Sequence, residues 1–455
     1  MTLTDQVVSR IGYIASNQLP EHVTISAKRC ILDYCGVVLA GASVNKNKID
    51  KFLESMALGE TTIYGLGQKC DIYSAVLVNS FNAHTIELDD GHRFGMMHMG
   101  APIISAVLAI AENNEVSNEK ILRAIVCGYD VAIALSRKMQ PGHKLKGYHA
   151  TGTCCTVGVA MAIALLLDYD EEKIRSTLAM SATSAAGLLE VIDDSSELKP
   201  YNIAHAALAG LSAALFGKMG FSGPVDVIGG KRGFFSVLAQ EKDFERISNS
   251  ELFQEDQYAI TEIYTKPYAA CRHCHPAIEA AVNAKYSYIA EGNEFELSEL
   301  EEITVGTYSL AIRGHEHTEI YGASSAKMSI PYSVATALVS NKVGMDAYTM
   351  DMLSDVRTKE LMKKITIHVD PELDALNPQK RGAIVELKFR NGEALSERVD
   401  YPLGEPEHMM SNEDLEKKFI DLAEYAGKKR EAIQAIIDLI WSFDGCKDCI
   451  YEYLH

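Results

Sequence analysis

The sequence lacks a positive excess. Its 43 lysines and arginines stand against 62 aspartates and glutamates, for a formal net charge of −19. That balance argues against non-specific nucleic-acid binding, which displaces counterions with a positive field, and against docking on anionic lipid. It leaves a small anionic substrate open, because a pocket can be locally positive on an acidic protein. No apolar run reaches the ~20 residues of a membrane span. The most apolar stretch, Thr153 to Leu167, stops short of it. Residues Met1 to Gln18 lack the charged segment and apolar core of a signal peptide, so a cytoplasmic location is expected. There is no fixed-period repeat, no low-complexity segment and no charged tail. The pairs Gly65/Gly67 and Gly229/Gly230 lack the strand–turn–helix context of a nucleotide loop. The Gly-x-Ser-x-Gly elbow of serine hydrolases is missing too.

What is present is a globular composition, 47% hydrophobic and 23% charged. At roughly 150 residues per domain the chain has room for two or three. In a reducing compartment its ten cysteines are expected to be free thiols that behave as small buried hydrophobes. Up to about residue 260, helix follows helix. Apolar residues recur at helical spacing over 23–41, 103–112, 117–136, 171–189 and 203–219. Residues 153–167 are apolar all round, which predicts a buried helix. The pattern changes near Tyr264. Segments 302–308, 364–369, 383–389 and 395–401 alternate or are β-branched, and Asn391-Gly392 between the last two is a hairpin signal. Helical stretches at 275–290 and 330–343 lie among them, and helix returns over 411–426 and 429–443. The expected fold is therefore mostly α: a large all-helical domain over 1–264, completed by 405–455, and a smaller α+β domain over 265–404.

Five local clusters carry candidate chemistry. The first is Glu87-Leu-Asp89-Asp90-Gly-His92 with His98, where carboxylates beside histidines can fix a tautomer and raise basicity; the plain alternative is helix capping with surface charge. The second is His143-Lys144-Leu-Lys146-Gly-Tyr148-His149-Ala-Thr151-Gly152, at a helix N-terminus that favours anions; otherwise it is a solvated basic loop. The third is Lys199-Pro200 ahead of an Ala-rich helix, where a lysine is often simply solvated. The fourth is Lys266-Pro-Tyr-Ala-Ala-Cys271-Arg272-His273-Cys274-His275, without an acidic residue between Glu262 and Glu279. An arginine fork there suits a carboxylate. The fifth is Ser329-Ile-Pro-Tyr332, whose tyrosine is either a proton donor or a core residue. Cys271-Arg-His-Cys274 and Cys446-Lys-Asp-Cys449 are CxxC pairs, but lie far beyond the ~15–20 residue spacing of zinc knuckles.

Taken in order, these pieces resemble the MmgE/PrpD family, known for 2-methylcitrate dehydratase and cis-aconitate decarboxylase. Ile31-Leu-Asp33-Tyr-Cys-Gly36 looks like its opening, 79–90 like its Asp-Asp motif, and Gly147-Tyr-His149-Ala-Thr151-Gly152 like its Gly-Phe-His-Pro-Thr-Gly segment. Gly220-Phe-Ser-Gly223-Pro224, Lys266 to Arg272 and Ser329 to Tyr332 continue the series. The resemblance implies a helical domain made of both chain ends, a smaller α+β lid, a homodimer, a small polycarboxylate substrate, and neither metal nor organic cofactor. It implies site residues at Asp90 or Glu87, His98, His149, Lys199, the Lys266/Arg272/His275 segment and Tyr332. The sequence departs from the pattern in three places: Met99 and Ala150 stand where proline is usual, and Ala204-His205 replaces a Gly-Arg/Lys pair.

Such enzymes stabilise negative charge on a carbon next to a carboxylate. The expected roles give His98 and His149 proton transfer, Asp90 the orientation of an imidazole, and Tyr332 an acid or orienting role. Lys199, Lys266 and Arg272 hold carboxylates, with Glu87, His275 and Thr151 also lining the substrate. Dehydration is the first expectation; decarboxylation and epimerisation are the alternatives. A non-catalytic zinc-stabilised dimer is the alternative of a different class.

Overall fold

The computed structural model describes residues 1–192 and 196–455, and the chain divides into two compact units. Unit 1 comprises Met1–Val191, Leu198–Tyr264 and Ser411–His455; unit 2 comprises Ile192–Glu197 and Thr265–Met410. The second boundary falls six residues later than the expected 404/405 division. It coincides with Ser411, whose side chain caps the helix Asn412–Tyr425 in a reciprocal box with Asp414.

Unit 1 is helical: α1 (Leu3–Ser16), α2 (Glu21–Leu53), α3 (Ile72–Thr85), α4 (Gly100–Glu112), α5 (Asn118–Met139), α6 (Gly142–Leu145), α7 (Ala150–Leu166), α8 (Glu171–Ser184) and α9 (Lys199–Gly217) precede the C-terminal helices Asn412–Tyr425 and Arg430–Trp441. Every residue of α7 is buried, as its all-round apolar sequence requires. It is enclosed by α4, α5, α8 and α9. Helix α5 starts at Ser117, whose hydroxyl accepts the Lys120 amide. With lysine at that position, only half of the capping box forms. Gly41 of α2 lies so close to α3 that an added Cβ would meet the Asn82 carbonyl oxygen at 1.9 Å, so glycine permits this crossing. The Gly65/Gly67 pair belongs to the antiparallel hairpin of β1 (Thr61–Ile63) and β2 (Gln68–Cys70), with both residues at positive φ.

Unit 2 is built on a four-stranded sheet of β3 (Leu300–Thr307), β4 (Ile365–Val369), β5 (Ala383–Phe389) and β6 (Ala394–Val399), in the order β4-β3-β5-β6. β3 pairs parallel with β4 and antiparallel with β5. The β5–β6 hairpin turns at Asn391-Gly392, where Gly392 has φ +88°. Helix His275–Ala290 covers β5 and β6 and packs on helix Ile330–Ser340. Tyr288 stacks on Phe389 with ring centroids 4.2 Å apart. Among the described residues, no helix is long and apolar enough to cross a membrane.

Candidate active site

The site in unit 1 begins where α3 ends. Ile86 caps the helix and Glu87 follows in the left-handed region at φ +57°, where glycine is usual. A side chain there costs on the order of 1 kcal/mol. Glu87, Asp89 and Asp90 are all buried beyond this turn. His84, in the last turn of α3, is fully buried, and its Nδ1 lies 2.8 Å from Asp89 Oδ2. A carboxylate only accepts, so Nδ1 carries the proton. His84 Nε2 lies 3.3 Å from Glu87 Oε1. The same Glu87 oxygen accepts from Lys199 Nζ, at the start of α9. Burial pulls the His84 pKa down, but the Asp89 and Glu87 carboxylates outweigh it and raise the pKa above its ordinary value. Two carboxylates, an imidazole favoured in its charged form and an ammonium thus form one network, buried except at the partly exposed Lys199.

Two further histidines are held in opposite tautomers. His98 Nδ1 lies 2.7 Å from the Asp90 carbonyl oxygen. It must donate, so the neutral ring keeps its lone pair on Nε2. His149 is the N-cap residue of α7, and its Nδ1 lies 3.1 Å from Asn202 Nδ2. Asn202 Nδ2 also donates to the Leu188 carbonyl at 2.9 Å, which fixes the amide orientation. His149 Nδ1 therefore accepts, and the proton sits on Nε2. Burial, then the neighbouring Lys199, His84 and His98, holds the His149 pKa well below its ordinary value, so the ring is neutral. Thr151, expected at the substrate, instead accepts the His98 amide proton at 3.0 Å and ties the two histidine segments together.

Asp90 differs from its expected role. Its carboxylate accepts from the Gly100 amide at 2.9 Å and the Tyr129 hydroxyl at 2.5 Å. It is the Asp90 main-chain carbonyl that orients His98, while the carboxylate that orients an imidazole is Asp89. Burial pushes the Asp90 carboxyl up to about 7 despite these two donors, with Asp33 and Asp89 adding repulsion.

Arg272, His275 and Tyr332 have partners in unit 2. Arg272 Nε and Nη2 donate to Glu405 Oε1 at 3.0 and 2.9 Å, and Nη1 donates to His275 Nδ1 at 2.9 Å. His275 Nε2 donates to the Ala270 carbonyl at 3.1 Å. Lys266 is fully buried. The Tyr332 hydroxyl donates to the Ala347 carbonyl at 2.7 Å, and burial raises its pKa to about 12. Glu405, 133 residues from Arg272 in sequence, turns the expected carboxylate fork into an internal ion pair.

His84, Asn202 and Tyr129 were not among the expected site residues, and Asp89 was named only as a member of the first cluster, without a role of its own. One signal was available for Asn202: it follows Lys199 by three residues in the same helix, so both occupy one face. Among the described residues, His84, Asp89 and His98 form a group with metal-ligating geometry, their ligand atoms lying within 4.8 Å of one another. Neither CxxC pair belongs to such a group.

Comparison with known proteins agrees with this architecture. The MmgE/PrpD N-terminal domain profile matches residues 6–247, and the MmgE/PrpD C-terminal domain profile matches residues 268–442. A cis-aconitate decarboxylase of Aspergillus terreus is 23% identical over 98% of this chain and 94% of that protein. The cis-aconitate decarboxylases of Mus musculus and Homo sapiens are each 21% identical over 98% of this chain, covering 92% and 93% of their own lengths. With both profiles matched in order along most of its length, the chain belongs to the MmgE/PrpD family.

Proposed function

We propose that this protein is a lyase acting on a small di- or tricarboxylate, forming and discharging a carbanion next to a carboxylate with its own side chains. The observation that carries the reading is the pair of opposite tautomers beside the Lys199–Glu87 contact. His98 offers an Nε2 lone pair as base, and His149 offers an Nε2–H as acid. In this reading Lys199 exchanges its Glu87 oxygen for a substrate carboxylate. Its charge, with that of His84, then lies near the developing negative charge. In so buried a setting such charges lower the barrier more than they would in water.

Decarboxylation of an unsaturated tricarboxylate such as cis-aconitate is the first reading, because the relatives named above carry that activity in their names. It asks for a carboxylate grip and one proton donor to carbon, which are Lys199 and His149. Dehydration of a 2-methylcitrate-like hydroxy acid is the second reading, favoured by the presence of a base as well as an acid. Elimination uses both: His98 takes the α-proton while His149 protonates the leaving hydroxyl.

Proton NMR time courses in D2O test the proposal. The panel contains four- to seven-carbon di- and tricarboxylates, including cis-aconitate, citrate and 2-methylcitrate. Loss of a carboxyl carbon from cis-aconitate supports the first reading, and alkene formation from 2-methylcitrate the second. α-Deuterium exchange without net loss would point to an epimerase. No turnover of any member by folded protein would refute the proposal.

A further inference from the structure

The Cys271-Arg-His-Cys274 run takes no part in the chemistry above, yet unit 2 gives its first cysteine a partner. We propose that Cys271 and His315 form a nucleophilic dyad, a covalent-modification site for soft electrophiles of the conjugated-carbonyl class. Cys271 Sγ lies 3.1 Å from His315 Nε2. The other ring nitrogen, Nδ1, lies 3.1 Å from the Arg313 carbonyl oxygen. A carbonyl only accepts, so Nδ1 holds the proton and Nε2 turns its lone pair to the thiol. A nucleophile, a base in hydrogen-bond reach and a third group orienting that base together convert a thiol to a thiolate. The His315 ring is held further by His273, edge-on at 5.2 Å, whose Nδ1 lies 2.6 Å from the Tyr308 hydroxyl. His315 is buried, while Cys271 is partly exposed. A reagent can therefore reach the sulfur while the base stays shielded from water.

The step balances without a co-reactant. The thiolate attacks the β-carbon of the conjugated alkene and a C–S bond forms. The alkene π pair moves to the α-carbon, which takes back the proton that His315 Nε2 received from the thiol. The product is a thioether. The inference rests on this geometry alone and stands apart from the choice of lyase reaction.

Cys446 is the internal control. It is the other partly exposed cysteine, the remaining eight being buried, and its sulfur accepts an amide hydrogen from Asp448 at 3.3 Å. The full-length protein is treated with limiting N-ethylmaleimide at neutral pH, and the labelled peptides are quantified by mass spectrometry. Cys271 is expected to react at least about 10-fold faster than Cys446, as a thiolate outpaces a thiol. Labelling no faster than Cys446 would overturn the proposal. His315→Gln should remove the advantage, and an advantage that persists in the folded variant would equally overturn it. The wild-type comparison decides the question even where that variant fails to fold.

Discussion

Asn202 donates to the Leu188 carbonyl at 2.9 Å and to His149 Nδ1 at 3.1 Å. One amide so anchored dictates which nitrogen of His149 carries its proton, without itself having to meet a substrate. Asn202 is a positioning residue. Asn202→Leu keeps the volume and removes the donor, so the tautomer is no longer imposed. The expected outcome is a fall in kcat of about 10-fold, smaller than the roughly 100-fold or more of losing a general acid outright, with KM nearly unchanged. The nitrogen-15 signals of His149 should show mixed tautomers. A merely structural role would lower the melting temperature and leave those signals alone.

Lys199→Ala and His149→Ala should each cost at least about 100-fold in kcat, as loss of a charge-stabilising group or a general acid does. Steady-state kinetics on the substrate found by the NMR panel measures this. Near-wild-type turnover in both variants would remove the assigned roles.

Asp90 makes stability depend on pH in a defined direction. Its folded-state pKa of about 7 lies above the ordinary value of 3.8. Between those values the folded state binds the extra proton, so this group's contribution is full below about pH 4 and is lost as pH rises to about 7. At about 1.4 kcal/mol per pH unit the loss is at most about 4 kcal/mol. Asp90→Asn removes this titration. Urea unfolding at pH 5 and pH 8 should therefore show a smaller drop in the variant than in wild type. An equal drop in both would contradict the assignment.

Arg272 and Glu405 are both buried, with side-chain exposures of 4% and 1%. Removing one partner of such a pair leaves an uncompensated charge and typically costs about 3–5 kcal/mol. Glu405→Ala should lower stability by that order in chemical denaturation, and Arg272→Ala should do likewise. A raised KM with unchanged stability in Arg272→Ala would instead restore the carboxylate-gripping role expected from its sequence.

Local patterns were legible in the sequence, and long-range partners were not. The apolar run of 153–167 marks α7, and Asn391-Gly392 marks the β5–β6 hairpin, because periodicity and turn chemistry act between near neighbours. The same holds for the start of α5 at Ser117. His98, His149, Lys199 and Glu87 were found as residue types in suggestive company. Arg272 read as a cation without a partner because Glu405 lies far along the chain. Asp90 read as the orienting carboxylate because sequence shows side chains and not main-chain carbonyls. His84 lies in the last turn of α3 and drew no reading of its own. It is core by burial, yet it stands between two carboxylates.

The central claim is the opposition of His98 and His149. Nitrogen-15 NMR of the histidine side chains at pH 8 tests it directly, with assignments from His98→Gln and His149→Gln. The account predicts His149 protonated on Nε2 with Nδ1 bare, and His98 protonated on Nδ1 with Nε2 bare. Finding both rings in the same tautomer, or His149 as an imidazolium, would contradict it.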